Sequence, residues 1–122
     1  MKTESIVYTK AFEFAIQIIE LYKQLINEKK EYVMSKQLLK SGTSIGANIK
    51  EALAAQSKRD FIAKLHISLK ETSETEYWIE LLIKTDYITK DKGQSLLSEL
   101  RQIYKMLSSI IMTAKKNMHN NS

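Results

Sequence analysis

A chain of 122 residues with no proline and only three glycines has almost nothing with which to turn sharply. Strand-rich folds need many tight turns, and those turns draw on glycine and proline. Long helices are what remain. The chain also has no cysteine, which excludes a disulfide scaffold, a thiolate zinc site, a CxxC redox site and a cysteine nucleophile. One domain is expected at this length, able to bury about two-thirds of the surface its unfolded chain exposes. A composition of 43% hydrophobic and 27% charged residues is too apolar for disorder. No uncharged apolar run approaches membrane-spanning length and no signal peptide opens the chain, so a cytoplasmic protein with no membrane partner is expected.

Four segments of helical periodicity are separated by three short polar breaks. The first spans 9–27, with Ala11, Phe14, Ile18, Leu21 and Leu25 on one face. Thr9 is placed to cap it, with Ile6-Val7-Tyr8 extended and packing back as a staple. The second spans 32–55 and turns Met34, Leu38, Gly42, Ile45, Ile49 and Ala52 inward. Gly42 and Gly46 lie four apart, so one ridge lacks side chains and a neighbouring helix can approach closely. The third spans 58–85 and opens at a Ser57/Asp60 capping box. Its inward set is Phe61, Leu65, Ser68, Thr72, Ile79 and Leu82, and Asp60/Lys64 and Glu80/Lys84 are i,i+4 ion pairs. Thr89 caps the fourth, 90–116, which carries Leu96, Leu100, Ile103, Leu107, Ile110 and Ala114. Residues 117–122 form a polar, frayed tail. Four long helices with short connections predict a single-domain, all-α, antiparallel up-down-up-down four-helix bundle over 1–122.

Two of the helices carry more apolar surface than one core stripe requires. Helix 1 has a second ridge of Phe12, Ile16, Ile19 and Ile26. Helix 3 has a flank of Ile67, Trp78 and Leu81 beside Glu71 and Glu74. Wide helix faces in a thick core are one explanation. The one favoured is self-association, because exposed apolar patches of this size mark interfaces. Phe12, Ile16, Ile19, Ile67, Trp78 and Leu81 are the candidate contacts.

Catalytic constellations are largely missing. Carboxylate-bridged metal sites in bundles need Glu-x-x-His pairs, but His66 has Ala63 three residues before it and His119 has Lys116. The glutamates of helix 3 spread around its circumference. His66 points off the core stripe and reads as a surface residue. The run Gly42-Thr43-Ser44-Ile45-Gly46 lacks the lysine-containing ending of a phosphate loop and follows no strand. A serine nucleophile has no credible base. No enzymatic activity, metal or cofactor is expected.

The cations are the stronger lead. Lys plus Arg total 19 against 14 Asp plus Glu, a net +5, and only Arg59 and Arg101 are arginine. Lys36, Lys40 and Lys50 share a ridge of helix 2 opposite its apolar face. Helix 4 carries Lys90, Lys92, Arg101, Lys105, Lys115 and Lys116 against Asp91 and Glu99, which is +4. Clustered lysines attract a phosphate backbone through counterion release, without reading sequence. Lys36, Lys40, Lys50, Arg101, Lys105 and Lys116 are the candidate nucleic-acid contacts. An ordinary solubilising surface is the competing reading for one subunit, and repetition of the ridges in an assembly would favour binding.

The stretch Gln37 to Ala52, QLLKSGTSIGANIKEA, resembles a known signature, as do Asp60–Leu65, Ser68–Thr72 and Glu74–Trp78. They resemble the four-helix-bundle proteins encoded within 23S rRNA intervening sequences, sometimes labelled ribosomal-protein-like. The accessory variability determinant of diversity-generating retroelements is similar to that family. The resemblance runs from about Ile6 to Met112, with Ser-x-x-Ser-Ile-x-x-Asn-Ile-x-Glu as its specific core. It implies a homopentameric ring, and for the retroelement relatives binding of nucleic acid and of a reverse transcriptase through basic surfaces. It implies no catalytic residues.

The signature also has a physical reading. Ser41, Ser44 and Asn48 edge the buried face of helix 2, and Ser68, Glu71 and Thr72 lie at the core or edge of helix 3. Their hydroxyls and amide are expected to hydrogen-bond a carboxylate between the helices, as a structural polar network. The expected function is a self-assembling bundle with weak, sequence-nonselective binding of RNA or DNA. A scaffold that binds a protein partner and no nucleic acid is the alternative.

Overall fold

A computed structural model describes residues 2–120 as four helices: α1 (Lys2–Asn27), α2 (Met34–Leu53), α3 (Lys58–Lys84) and α4 (Lys90–Asn120). Helix α1 packs on α2, α2 on α3, α3 on α4, and α4 closes back on α1, while the backbones of the diagonal pairs α1/α3 and α2/α4 stay more than 8 Å apart. This is an up-down four-helix bundle, with the α2–α3 contact the most extensive and α1–α4 the least.

Each helix contributes the stripe that its spacing dictates. Val7, Ala11, Phe14, Ile18, Leu21 and Leu25 of α1 are buried, as are Leu38, Ile45, Ile49 and Ala52 of α2. Leu65, Ile79 and Leu82 of α3 join them, with Leu96, Leu100, Ile103, Leu107 and Ile110 of α4. The stripe of α3 differs from expectation in two places. Ile62 is buried where Phe61 was expected, and Thr75, absent from the expected set, is fully buried. Helix α4 buries Leu97 and Ile111 as well.

Helix α1 begins at Lys2 rather than Thr9. Thr9 caps nothing: its hydroxyl donates to the Ser5 carbonyl at 3.0 Å, inside the helix. Ile6-Val7-Tyr8 is helical because Val7 continues the 7, 11, 14, 18 stripe and is fully buried, and burial of that stripe outweighs the weak helix propensity of β-branched residues. Helix α4 continues past 116 to Asn120, so 117–120 is an ordered turn and not a frayed tail. Ala114 and Met118, four apart, pack against the core edge and carry the helix on. Residues 121 and 122 lie outside the described residues.

The connections are built from side-chain caps and left-handed residues. Before α2, the Glu31 carboxylate accepts from the N–H groups of Val33 at 3.1 Å, Met34 at 3.0 Å and Ser35 at 2.7 Å. The Ser35 hydroxyl donates back to the Glu31 carbonyl at 2.7 Å. Three donors that the helix itself cannot satisfy are thereby paired. Burial pushes the Glu31 carboxyl up, but these backbone N–H groups together hold it below its ordinary value. Ser57 caps α3 by accepting from the Asp60 N–H at 3.1 Å, one half of the expected box, and Thr89 caps α4 by accepting from the Lys92 N–H at 3.1 Å, as expected. Helix α3 ends in a left-handed residue, Asp86 (φ 66°), with the Tyr87 N–H donating to the Leu82 carbonyl at 2.9 Å and the Asp86 N–H to Ile83 at 3.1 Å. Glycine usually fills that position. Here aspartate holds it, and Lys30 (φ 53°) does the same in the α1–α2 connection.

Candidate nucleic-acid interface

The six candidate phosphate contacts are all exposed, on two separate surfaces. Lys36, Lys40 and Lys50 lie on α2, and Arg101, Lys105 and Lys116 on α4. Because α2 and α4 stand at diagonal corners of the bundle and these cations lie on their exposed sides, the two sets do not form one patch in a single chain. Several have neighbours that the sequence reading did not supply. The Lys50 Nζ sits 5.2 Å from the centroid of the Tyr8 ring, a cation–π contact. Arg101 stands 3.7 Å from the Glu76 carboxylate of α3. Lys40 is close enough to Glu71 to pull its carboxyl down. Burial and the adjacent Glu74 outweigh that pull, and the Glu71 carboxyl lies above its ordinary value.

Two heptad lines fix the sides of α3. Lys64, 3.0 Å from Glu51 of α2, starts a line that Glu71 and Trp78 continue at seven-residue steps, so this edge faces α2. Lys64 thus takes Glu51 as its direct partner, and the expected Asp60 acts on its charge from further away. Glu76, beside Arg101, marks the edge that faces α4. The candidate assembly residues Ile67, Trp78 and Leu81 therefore lie on the α2-ward half of α3. Ile67 is exposed, whereas Trp78 and Leu81 are half-buried. The Trp78 indole N–H donates to Glu74 at 3.1 Å. On α1, Phe12, Ile16 and Ile19 expose 54%, 45% and 38% of their surface. Tyr8, ring to ring with Phe12 at 6.1 Å, places this stripe on the α2 side of α1.

The expected carboxylate-centred polar network does not form. Ser44 donates to the Lys40 carbonyl at 2.6 Å and the Asn48 amide to the Ser44 carbonyl at 2.8 Å, both within α2. Thr72 donates to Leu69 of its own helix at 2.6 Å. Glu71 turns toward the half-exposed edge of the α2–α3 groove. Among the described residues two buried hydroxyls do cross: Ser68 donates to the Ile45 carbonyl at 2.8 Å, and the Thr75 hydroxyl, 2.7 Å from the Glu71 carbonyl of its own helix, meets the Ser41 hydroxyl at 3.0 Å. Hydroxyls suffice there because the helices lie close, and a buried carboxylate would add a desolvation cost that the site does not offset. Thr75 was missed for want of an apolar signal. Its position, seven residues after Ser68, is the clue that could have found it.

Gly42 and Gly46 do allow close approach, and the helix that approaches is α1. A Cβ at Gly42 would stand 2.9 Å from Ile18 Cγ2, and one at Gly46 would stand 3.6 Å from the Ala11 Cβ. Among the described residues, no three histidine, aspartate or glutamate side chains gather as a metal-holding group, and no helix is long and apolar enough to cross a membrane.

The same fold occurs in the crystal structure of a protein of unknown function from the S23 ribosomal protein family of Bacteroides thetaiotaomicron. That structure superimposes with a TM-score of 0.89 at 57% identity, over 90% of this chain and 98% of the other. No curated protein matches the chain. The family model for the 23S rRNA-intervening sequence protein matches residues 3–109. That span takes in the α2 stretch with its paired glycines and the α3 hydroxyls that meet it, and the chain belongs to the 23S rRNA-intervening sequence protein family.

Proposed function

We propose that this protein is a non-enzymatic, self-assembling bundle that binds RNA weakly and without sequence selectivity. The observation that carries the RNA reading is the composition of the C-terminal two-thirds of α4. Residues 101–120 contain Arg101, Lys105, Lys115 and Lys116 and no acidic residue, and all four cations are exposed. Such a stretch gains free energy from a phosphate backbone by releasing condensed counterions. Lysine-rich surfaces act here as point charges and carry little geometric selection. The lysines of α2 form a second, separate basic ridge.

Self-assembly is supported by the two apolar stripes. They lie on helices that are diagonal in the bundle, so one stripe can seat against the other on a neighbouring copy. Such a head-to-tail contact generates a ring when its rotation closes, and a pentamer is the state that the sequence resemblance implies. A second reading, a scaffold for a protein partner such as a reverse transcriptase, draws on the same exposed stripes and on the neighbours that engage Arg101 and Lys50.

The test is anisotropy or gel shift with structured RNA at low and moderate salt, with light scattering for assembly. Affinity is expected to fall as salt rises and to fall further in the Arg101→Glu, Lys105→Glu double variant, with mass unchanged at several times 14.1 kDa. A monomer at micromolar concentration would remove the assembly reading. Absence of binding at low salt would leave the scaffold.

A further inference from the structure

Resting on the RNA reading above, we propose that the connection between α1 and α2, residues 29–36, holds unpaired RNA, with Tyr32 stacking on an exposed base and Lys29, Lys30 and Lys36 on the phosphates beside it. The segment reads Lys-Lys-Glu-Tyr-Val-Met-Ser-Lys, so the three cations flank the ring along the chain itself. Its one carboxylate, Glu31, is turned inward, with its oxygens on the N–H groups of Val33, Met34 and Ser35. The outward side of the connection therefore shows three lysines and no carboxylate of its own. Among the described residues none of these lysines is in an ion pair, unlike Arg101.

Tyr32 and Val33 are 59% and 72% exposed, yet the backbone beneath them is tied down. The Glu31 N–H donates to the Leu25 carbonyl at 3.0 Å, and the Val33 N–H to the Glu31 carboxylate at 3.1 Å, one on each side of Tyr32. A side chain presented on a fixed backbone loses less freedom when it binds. Among the described residues, the ring pairs Tyr8–Phe12 and Tyr77–Trp78 leave Tyr32 out, so no other ring occupies its faces. The nearest exposed carboxylate, Glu28, lines a cavity of about 500 Å³ together with Asp86, Lys29, Lys90 and Lys92. That cavity mixes both signs, whereas the tip beyond it, with Lys30, Tyr32, Val33 and Lys36, carries only positive charge.

Cations that follow a backbone and a ring that receives a base are the two elements of single-strand recognition. A duplex keeps its bases stacked on each other and leaves Tyr32 nothing to stack on. An anionic membrane would meet the same side chains, but one tyrosine and one valine bring less apolar surface than a single acyl chain, which binds membranes only marginally. The shared cavity sets this connection at the end of the bundle where α4 begins, whereas the α4 cations from Arg101 onward run toward the other end. Those cations attract any phosphate backbone, and the connection adds a preference for unpaired bases.

The experiment compares an unstructured 20-nucleotide RNA with the blunt duplex of the same sequence, by anisotropy at one low salt concentration. The single strand is expected to bind about fivefold tighter or more. Tyr32→Ala should remove that preference, costing the single strand about fivefold or more, with duplex affinity and mass in light scattering unchanged, while Tyr32→Phe retains binding. The Lys30→Glu, Lys36→Glu double variant should bind both forms more weakly. Photo-cross-linking of the wild-type protein to a thiouridine-containing strand gives a readout that needs no variant to fold. Cross-links in the tryptic peptide 31–36 support the proposal, and cross-links confined to other peptides overturn it. Equal binding of strand and duplex, or a Tyr32→Ala protein that binds like wild type, would overturn this site alone. A lower mass for Tyr32→Ala would assign the tip to a contact between copies, and capture by phosphatidylserine vesicles that needs Tyr32 would assign it to a membrane; either overturns the proposal. Failure to bind either RNA would overturn the RNA reading with it.

Discussion

Helix α2 meets its two neighbours by opposite means. Toward α1 it withholds side chains, and Gly42 and Gly46 let Ile18 and Ala11 settle against its backbone. Toward α3 it supplies partners for buried hydroxyls, those of Ser68 and Thr75. The first contact is a matter of shape and is sensitive to added atoms. The second is a matter of hydrogen bonding and is sensitive to lost ones. A helix can therefore pack closely on two neighbours while the two sides answer mutation differently.

The largest effect is expected on the glycine side. Gly42→Val drives a branched side chain into Ile18 close to its own branch point, where it cannot swing aside, and should cost about 1–3 kcal/mol in urea denaturation. An unchanged midpoint would show that α1 slides freely on α2, and the contrast between the two sides would collapse. Next comes the cap on which both sides depend. Glu31→Gln should cost about 1–2 kcal/mol near pH 7. The folded carboxyl is held low, so its contribution is complete above the ordinary value of 4.5 and is lost as pH falls through the folded value. The gap between wild type and Glu31→Gln should therefore narrow as acid is added, and a gap that ignores pH would mean that the charge does no capping.

On the hydroxyl side, Ser68→Ala and Thr75→Val should each cost about 0.5–1.5 kcal/mol by chemical denaturation. Neither leaves a carbonyl without its helical N–H, which keeps the figure below that of Gly42→Val. No loss in either would mean that packing alone joins α2 to α3. Gly46→Ala should move the other way, raising stability by up to about 1 kcal/mol through helix propensity, because its nearest neighbour stands at an ordinary contact distance. A loss at Gly46 as large as that at Gly42 would make the whole ridge a steric seam. The smallest effect is expected for Asn48→Ala, within about 0.5 kcal/mol of wild type, since its amide bonds only the carbonyl one turn back. A larger loss would restore Asn48 to the α2–α3 interface.

The legible part of the sequence was its periodicity. The core stripes of α2 and α4, the Ser57 and Thr89 caps and the glycine ridge were all readable from spacing. Two ends were not. Val7 extends α1 through a β-branched stretch that favours other conformations by itself, and Met118 extends α4 through residues that are otherwise polar. Glu31 looked like one more charge in a break, because a cap three residues before the helix has no periodic signature. The candidate contacts Lys36, Lys40, Lys50, Arg101, Lys105 and Lys116 were legible as exposed cations, but their neighbours were not.

The sequence by itself determined that this chain forms four amphipathic helices and, for α1, α2 and α4, which stripe is buried. Spacing along a helix is a local property, and three or four residues are enough to set it. Only the tertiary structure decided which polar groups meet. Thr75 and Ser41 are 34 residues apart, Ser68 and Ile45 are 23 apart, and the Lys64–Glu51 and Arg101–Glu76 pairs likewise join different helices. Those meetings depend on the rotation and axial register of two packed helices, set by how all the core side chains interlock, and no single helix carries that information.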